Sequence, residues 1–540
     1  MTGAARQGGR YDVAVVGGGH NGLVAAALAA RAGRSVVLLE AGERLGGMAT
    51  LGPRSPGSDG GFDSAGAAHL VDGLSPALVQ GLELHRHGLE FAVATMDDVA
   101  LLPGGELLVV SGRDAETTRR SIGRFSPRDA ERFPAFEARL ARLADALAPF
   151  LDRVPPTLKF QDWAERLEYL RLGWAMRRLG RKDMRDLLRI IGMNAADLTE
   201  EVFETDALKG LIGFDAVLGN RFGPRSPNTV YTLLQRKSGT IAGRRGAAAL
   251  PKGGPAALIA ALERAARAAG VEIRTGARVA QVLVDNGRVN GLALADGSEI
   301  DCRTVLSSAH PRTTLLDLVG VRQLDADLVR SLRHARGEGG TAKVWLRLGA
   351  VPDFGLSAGD LGRSRLVFAP DLGFVERGHD AAKYGELPDR LAMEITLPGL
   401  ADAHQLGSGQ KPILSATLAN VPYRLRNRDD GALKQALIQR TTAALADLAP
   451  GLAETIEAVE ALTPKQVEAA TGAPGGHWHH LETGLDQTYL LRPAPGLAQY
   501  ATPIQGLWLC GAGSHPGGGL TGRPGANAAR AALAATRARR

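Results

Sequence analysis

Three glycines and one carboxylate carry the clearest chemistry in the first forty residues. Gly17, Gly19 and Gly22 read G-x-G-x-x-G, with His20 and Asn21 inside the motif, and Glu40 follows eighteen residues after Gly22. This spacing suits a dinucleotide. Gly17 permits a tight turn, Gly19 lets the backbone approach a pyrophosphate, and Gly22 lets a helix press against the preceding strand. The start of that helix offers unpaired N–H groups and the positive end of its dipole to phosphates. Glu40 can accept hydrogen bonds from both ribose hydroxyls, and its charge repels a 2′-phosphate.

A glycine motif alone is weak, so the elements around it decide its meaning. Val13–Val16 is a valine-rich run of the buried parallel type, Leu23–Arg31 an alanine-rich helix ended by Gly33, and Val36–Leu39 a second buried strand. Strand, helix, strand and acid fall in the order a Rossmann-type unit needs. Gly46 and Gly47 stand six and seven residues past the acid, followed by Met48 and Thr50. A second glycine pair admits another backbone segment to the same pyrophosphate, as in two-domain flavoproteins, and indicates FAD. No second G-x-G-x-x-G follows a strand, so a separate NAD(P) site is not indicated.

These residues resemble the superfamily of flavin-dependent amine oxidases and phytoene desaturases. The "GHNG" wording is similar to its branch of pyridine nucleotide-disulfide oxidoreductase domain protein 2-like and carotenoid ketolase-like proteins. Relatives usually carry arginine after the glycine pair, where this chain has Met48, so that phosphate contact is absent or supplied elsewhere. The order Pro251–Gly254 turn, helix Pro255–Ala269, then strands 272–274, 277–285, 288–294 and 304–307 resembles the second FAD-binding segment. There the residue matching Val279 pairs its backbone with adenine. "CGAGSHPGGGLTGRPGANAAR", residues 510–530, resembles the stretch that closes the flavin pocket of bacterial phytoene desaturases.

The resemblance implies an α/β fold: a discontinuous Rossmann-type FAD-binding domain with an inserted α+β substrate domain. Residues 8–75, 246–320 and 491–540 would bind FAD, 76–245 would form the helical part of the substrate domain, and 321–490 its sheet. Gly518, Gly519 and Leu520 would lie against the flavin ring or its ribityl chain, and Gly513 would also bind the cofactor. Gly525–Asn527 would begin the last helix, its dipole favouring a reduced, anionic flavin. His515 would either orient flavin or substrate, or be a satisfied loop histidine. Arg523 would mark a polar substrate or face solvent. Some amine oxidases hold a lysine near the flavin through water. Lys343 matches that place, although a solvent-facing strand lysine is the ordinary outcome and the one expected.

The remaining sequence mainly excludes. Apolar residues at 44% and charged ones at 22% describe an ordinary folded chain. A net charge of +7 over 540 residues falls short of the dense basic stripe that nucleic-acid binding needs. Cys302 and Cys510 form neither a disulfide framework nor a metal spacing, which fits a reducing cytoplasm. The "HWHH" run (His477, His479, His480) matches no metal motif, so no metal is expected. No apolar window is long enough to span a bilayer.

Helical periodicity runs over 129–154, 163–189 and 200–214. From Arg166 to Arg189 there are eight basic residues against three acids, with Trp163, Leu167, Leu170 and Trp174 at helical spacing. That pattern fits a membrane-surface helix or, as expected here, a helix whose apolar face is buried. The function expected is an FAD-dependent oxidoreductase that removes hydride from a hydrophobic, polyene or isoprenoid substrate, with flavin N5 as acceptor. A smaller amine or alicyclic substrate is the alternative, and an interaction role for the flavoprotein the third reading.

Overall fold

The computed structural model describes residues 9–52, 62, 66–157, 163–427 and 429–537. Its first sheet has five parallel strands in the order Glu272–Arg274, Val36–Leu39, Val13–Val16, Val305–Ser307, Leu507–Leu509. Three distant stretches of chain therefore share one sheet. Its central strands are buried on both sides, which explains why they carry valine and leucine without alternation. Helices His20–Arg31, Pro255–Ala268 and Arg523–Arg537 pack with one face of it. A sheet containing Val279–Asp285, Arg288–Leu294 and Glu299–Cys302 joins the core on the other.

The second sheet has seven strands, in the order Ile456–Leu462, Thr341–Leu348, Ile413–Ala419, Met393–Thr396, Ser364–Phe368, Asp97–Leu101, Leu107–Val110. Alternation divides it into two faces. Ala342, Val344, Leu346, Leu414, Ala416, Leu418 and Met393 form an apolar back that packs with Leu433, Leu437 and Leu445 of the Asp430–Leu448 helix. The front is buried as well but mixed: Lys343, Thr417 and Glu394 share it with the apolar pair Trp345 and Ile413, and Val367 and Ala100 join the helical core. The stretch 76–245, read as helical, also supplies two strands of this sheet.

Two of the expected long helices are broken. The 163–189 helix is two, Trp163–Arg178 and Gly180–Ile190, because Gly180 takes φ +76°, a left-handed conformation that ends the first. The 200–214 helix starts only at Asp206, after a shorter helix, Ala195–Glu200. The break is held by Asp129, which is fully buried and accepts hydrogen bonds from the Glu204 and Thr205 N–H groups at 2.9 and 2.7 Å. The apolar residues of the Trp163–Arg178 helix also depart from expectation: Trp163, Leu167, Leu170 and Trp174 are exposed. Among the described residues no helix is long and apolar enough to cross a membrane.

Replacing Asp129 by alanine strands the buried Thr205 donor, at about 1–3 kcal/mol, and the partly buried Glu204 donor at less. Thermal unfolding of Asp129→Ala is expected several degrees below wild type, with the bound flavin fraction unchanged in the folded protein.

Candidate active site

The cofactor wall starts at the carboxyl end of Val13–Val16. Gly17 has φ +93°, and Ser308 Oγ donates to the Val16 and Gly17 carbonyls at 2.9 and 3.0 Å, holding the turn. A Cβ on Gly22 would lie 2.0 Å from the Gly17 oxygen, so the helix can sit this close only with glycine there. Gly19 differs: a Cβ on it would meet nothing among the described residues within 4 Å. Gly46 pairs with Gly19 across a parallel bridge, and Gly46 N–H donates to Gly18 O at 3.0 Å. Two glycine loops thus border an open cradle at a helix N-terminus that has no side-chain cap. Glu40 stands at its rim, accepting Gly18 N–H at 2.6 Å and Gly42 N–H at 2.8 Å. Ala277 N–H donates to Glu40 O at 2.8 Å, which brings the start of the Val279 strand beside the same acid. Met48 is half-buried and Thr50 Oγ1 donates to Leu45 O, closing the second loop. These residues fit the adenosine and pyrophosphate of FAD.

The C-terminal glycine loop meets this wall. A Cβ on Gly525 would lie 2.1 Å from Asn21 O, and one on Gly513 2.5 Å from the Pro311 ring. Gly518 leaves no room for a Cβ beside His479. The last helix begins at Arg523, two residues earlier than expected. Asn527 is one turn inside it, its amide donating to Leu151 O and Tyr500 Oη. Arg523 neither faces solvent nor lies open to a ligand: it is 2% exposed, paired with Asp152 at 2.9 Å and bonded to Ser238 Oγ at 2.6 Å.

Orphaned polar atoms gather along this loop. His20 Nε2, Asn21 Oδ1, His479 Nδ1, His480 Nδ1 and His515 Nδ1 are buried without a hydrogen-bond partner among the described residues, as a site shaped around a polar ligand would leave them. Burial pushes His20 down to about 4, against the opposing effect of its bond to the Gly519 backbone. His515 is likewise lowered to about 4 by burial; its Nε2–H donates to Phe150 O at 2.8 Å, and Tyr489 crosses its ring edge-on. Among the described residues no cluster could hold a metal. The 477–480 histidines instead back the Gly513 and Gly518 turns.

Sequence reasoning missed Arg492. It is fully buried and donates to six backbone carbonyls: His479, Leu481, Glu482, Gln487, Ala512 and Ser514. Among the described residues no carboxylate bonds it, and burial lowers it to about 10. This one guanidinium ties the histidine segment to the glycine loop.

The opposite wall is the front of the seven-stranded sheet. Lys343, Thr417 and Glu394 stand side by side on three adjacent strands. Lys343 is fully buried, which corrects the solvent-facing expectation. Its Nζ donates to His69 Nδ1 at 2.7 Å and to Thr417 Oγ1 at 2.8 Å. His69 Nε2–H donates to Glu394 Oε1 at 2.6 Å, and Glu394 also pairs with Arg365. Burial lowers Lys343 to about 7, and burial together with the Lys343 charge lowers His69 to about 4. Burial alone would raise Glu394, but Arg365 and His69 hold it well below the usual range. His69 links the two walls, since Ala67 N–H donates to Leu51 O just past the second glycine loop. It was not foreseen, nor was Glu394.

Comparison with known proteins agrees with this geometry. The model of a family described as FAD dependent oxidoreductase matches residues 12–103. A cyclohexylamine oxidase structure from Brevibacterium oxydans shares the fold, with a TM-score of 0.56 at 17% identity, covering 98% of this chain and all of that one. The fold and site define an FAD-dependent oxidoreductase, an enzyme with Rossmann-type cofactor binding. The chain is 30% identical to the rat (Rattus norvegicus) pyridine nucleotide-disulfide oxidoreductase domain-containing protein 2, over 96% of this chain and 92% of that protein, and it belongs to that family. It is also 28% identical to a hydroxyneurosporene desaturase of Cereibacter sphaeroides, over 97% and 98% of the two chains.

Because a methyl on Gly19 enters only the open cradle, Gly19→Ala is expected to fold and melt like wild type yet purify with at least about tenfold less flavin. Arg492→Met orphans several carbonyls and is expected to lose at least about 3 kcal/mol of stability. Its flavin should be released, followed by fluorescence, at a lower temperature than in wild type.

Proposed function

We propose that this enzyme removes two hydrogens, one as hydride and one as a proton, from a hydrophobic, isoprenoid-type substrate. The observation that carries the reading is Lys343, a buried amine beside His69 and Thr417 with no carboxylate bonded to it among the described residues. Bound FAD supplies the two-electron acceptor for the hydride. The chain's own residues supply the proton acceptor. Two N–H bonds of Lys343 are committed to His69 Nδ1 and Thr417 Oγ1, so the lone pair of the neutral amine occupies the remaining tetrahedral direction. Glu394 fixes the His69 tautomer by accepting Nε2–H, which keeps Nδ1 free to accept from the lysine. When Nζ takes the proton, Glu394 is the charge that favours it. Burial of the whole group keeps water away from a carbon losing hydride. The relative named as a hydroxyneurosporene desaturase supports oxidation of this kind.

The polar row Lys343–Thr417–Glu394 favours a second reading, a smaller amine or alicyclic substrate. Anaerobic mixing of the holoprotein with isoprenoids and with alicyclic amines separates the two. Flavin bleaching by an isoprenoid is the expected result, and bleaching by amines alone overturns the first reading.

The base must be neutral to act. Flavin reduction is therefore expected to slow as pH falls through about 7, where Lys343 gains its proton. Lys343→Met should retain FAD, lose this pH limb and reduce flavin about 10²–10⁴-fold more slowly in stopped-flow measurements.

A further inference from the structure

The Trp163–Arg178 helix is apolar on two sides. Its inner side places Met176 against the helical core, and Tyr169 Oη donates to Thr157 O. On the outer side Trp163 is 78% exposed, Leu167 46%, Leu170 66% and Trp174 62%. At about 100° per residue these four fall within a sector of roughly 60°. They form a continuous row, unlike the isolated apolar residues common on protein surfaces. Leu188, on the adjoining Gly180–Ile190 helix, is 64% exposed as well.

The exposed borders of the row are basic. On the same helical projection the exposed Arg177 borders it on one side and the exposed Arg178 on the other. The acids of the adjoining helix are turned to the protein body: Asp183 pairs with Arg142 and Asp186 with Arg139. Two tryptophans in an apolar stripe between arginine borders have the chemistry of a helix lying in a lipid interface. There the rings sit among headgroups and the guanidinium groups meet lipid phosphates. A protein partner would need an acidic rim around an apolar groove to match the same pattern, whereas an anionic bilayer offers both at once.

We propose that this helix docks the enzyme onto the surface of an anionic lipid bilayer, with Trp163, Leu167, Leu170 and Trp174 immersed and the arginines at headgroup level. No span is required. The docked helix lies beside the site: burial, and to a lesser extent Tyr169, pushes the Tyr489 hydroxyl up to about 12, and Tyr489 packs on His515. Delivery of an apolar substrate from the bilayer along this side rests on the function proposed above; the docking itself does not.

The test uses the FAD-loaded full chain, without substrate, sedimented with phosphatidylcholine vesicles with and without phosphatidylglycerol. Binding to the anionic vesicles, with a blue shift of tryptophan emission, is expected. The pair Trp163→Ser/Trp174→Ser should weaken binding by at least about tenfold. Arg177→Glu/Arg178→Glu should weaken it roughly 30-fold or more, at about fivefold per basic residue, and remove the preference for anionic lipid. Both pairs should keep wild-type flavin content and melting temperature. Failure of the wild type to sediment with anionic vesicles overturns the proposal, as does unchanged binding by the tryptophan pair. A wild-type dimer in vesicle-free solution that the tryptophan pair dissolves also overturns it, since a second copy would then cover the row. None of these results depends on which substrate bleaches the flavin.

Discussion

The fold depends on how closely bare backbone can approach bare backbone at the carboxyl ends of three parallel strands. Gly22 touches the Gly17 carbonyl, Gly511 the Ser308 carbonyl and Gly525 the Asn21 carbonyl, each with no space for a Cβ. These contacts draw together segments some 500 residues apart and leave one opening, over Gly19 and Gly47. A parallel sheet concentrates helix N-termini and loop amides at this edge, where an anionic cofactor is bound. The same constraint explains the chain order. The last strand and helix complete a sheet that the first strand began, so the seven-stranded sheet is inserted between them.

The second sheet is built on a different compromise. Its back is an ordinary apolar core, while its front buries Lys343, Glu394 and Arg365. Arg365 meets three carboxylates, those of Glu394, Asp98 and Asp215. Buried ion pairs of this kind contribute little net stability compared with packed hydrocarbon, because desolvation offsets the attraction. Arg365 nonetheless anchors Glu394 as a carboxylate. Glu394 sets the tautomer of His69, and His69 positions Lys343. A chain of fixed charges thus ends in one amine that carries no fixed charge near neutral pH.

What could be read from sequence was what is local. The Gly17–Glu40 unit is specified by spacing within thirty residues, and its strands and helix appear where the pattern put them. Lys343 was misread for a physical reason. In "TAKVWLRL" Thr341, Lys343 and Arg347, with Trp345 among them, alternate with apolar residues as on a strand with one wet face, and alternation cannot say that His69 covers Lys343. Helical periodicity was ambiguous in the opposite direction: the Trp163 row has the spacing of a buried stripe, yet the helix turns a second apolar side inward. Arg492 has no sequence signature, because its partners are main-chain carbonyls spread over 36 residues.

The two walls differ in how they handle charge. On the cofactor side burial keeps His20, His479 and His515 near 4, so these imidazoles are neutral at physiological pH. The cation there, Arg492, is surrounded by carbonyl dipoles that offset its charge while its five N–H groups hold the loop rigid. On the opposite wall Lys343 lies at the edge of protonation. Under the function proposed above, a hydride and a proton leaving one substrate need separate destinations, and a neutral, dipole-lined cofactor segment together with a titratable amine would supply them.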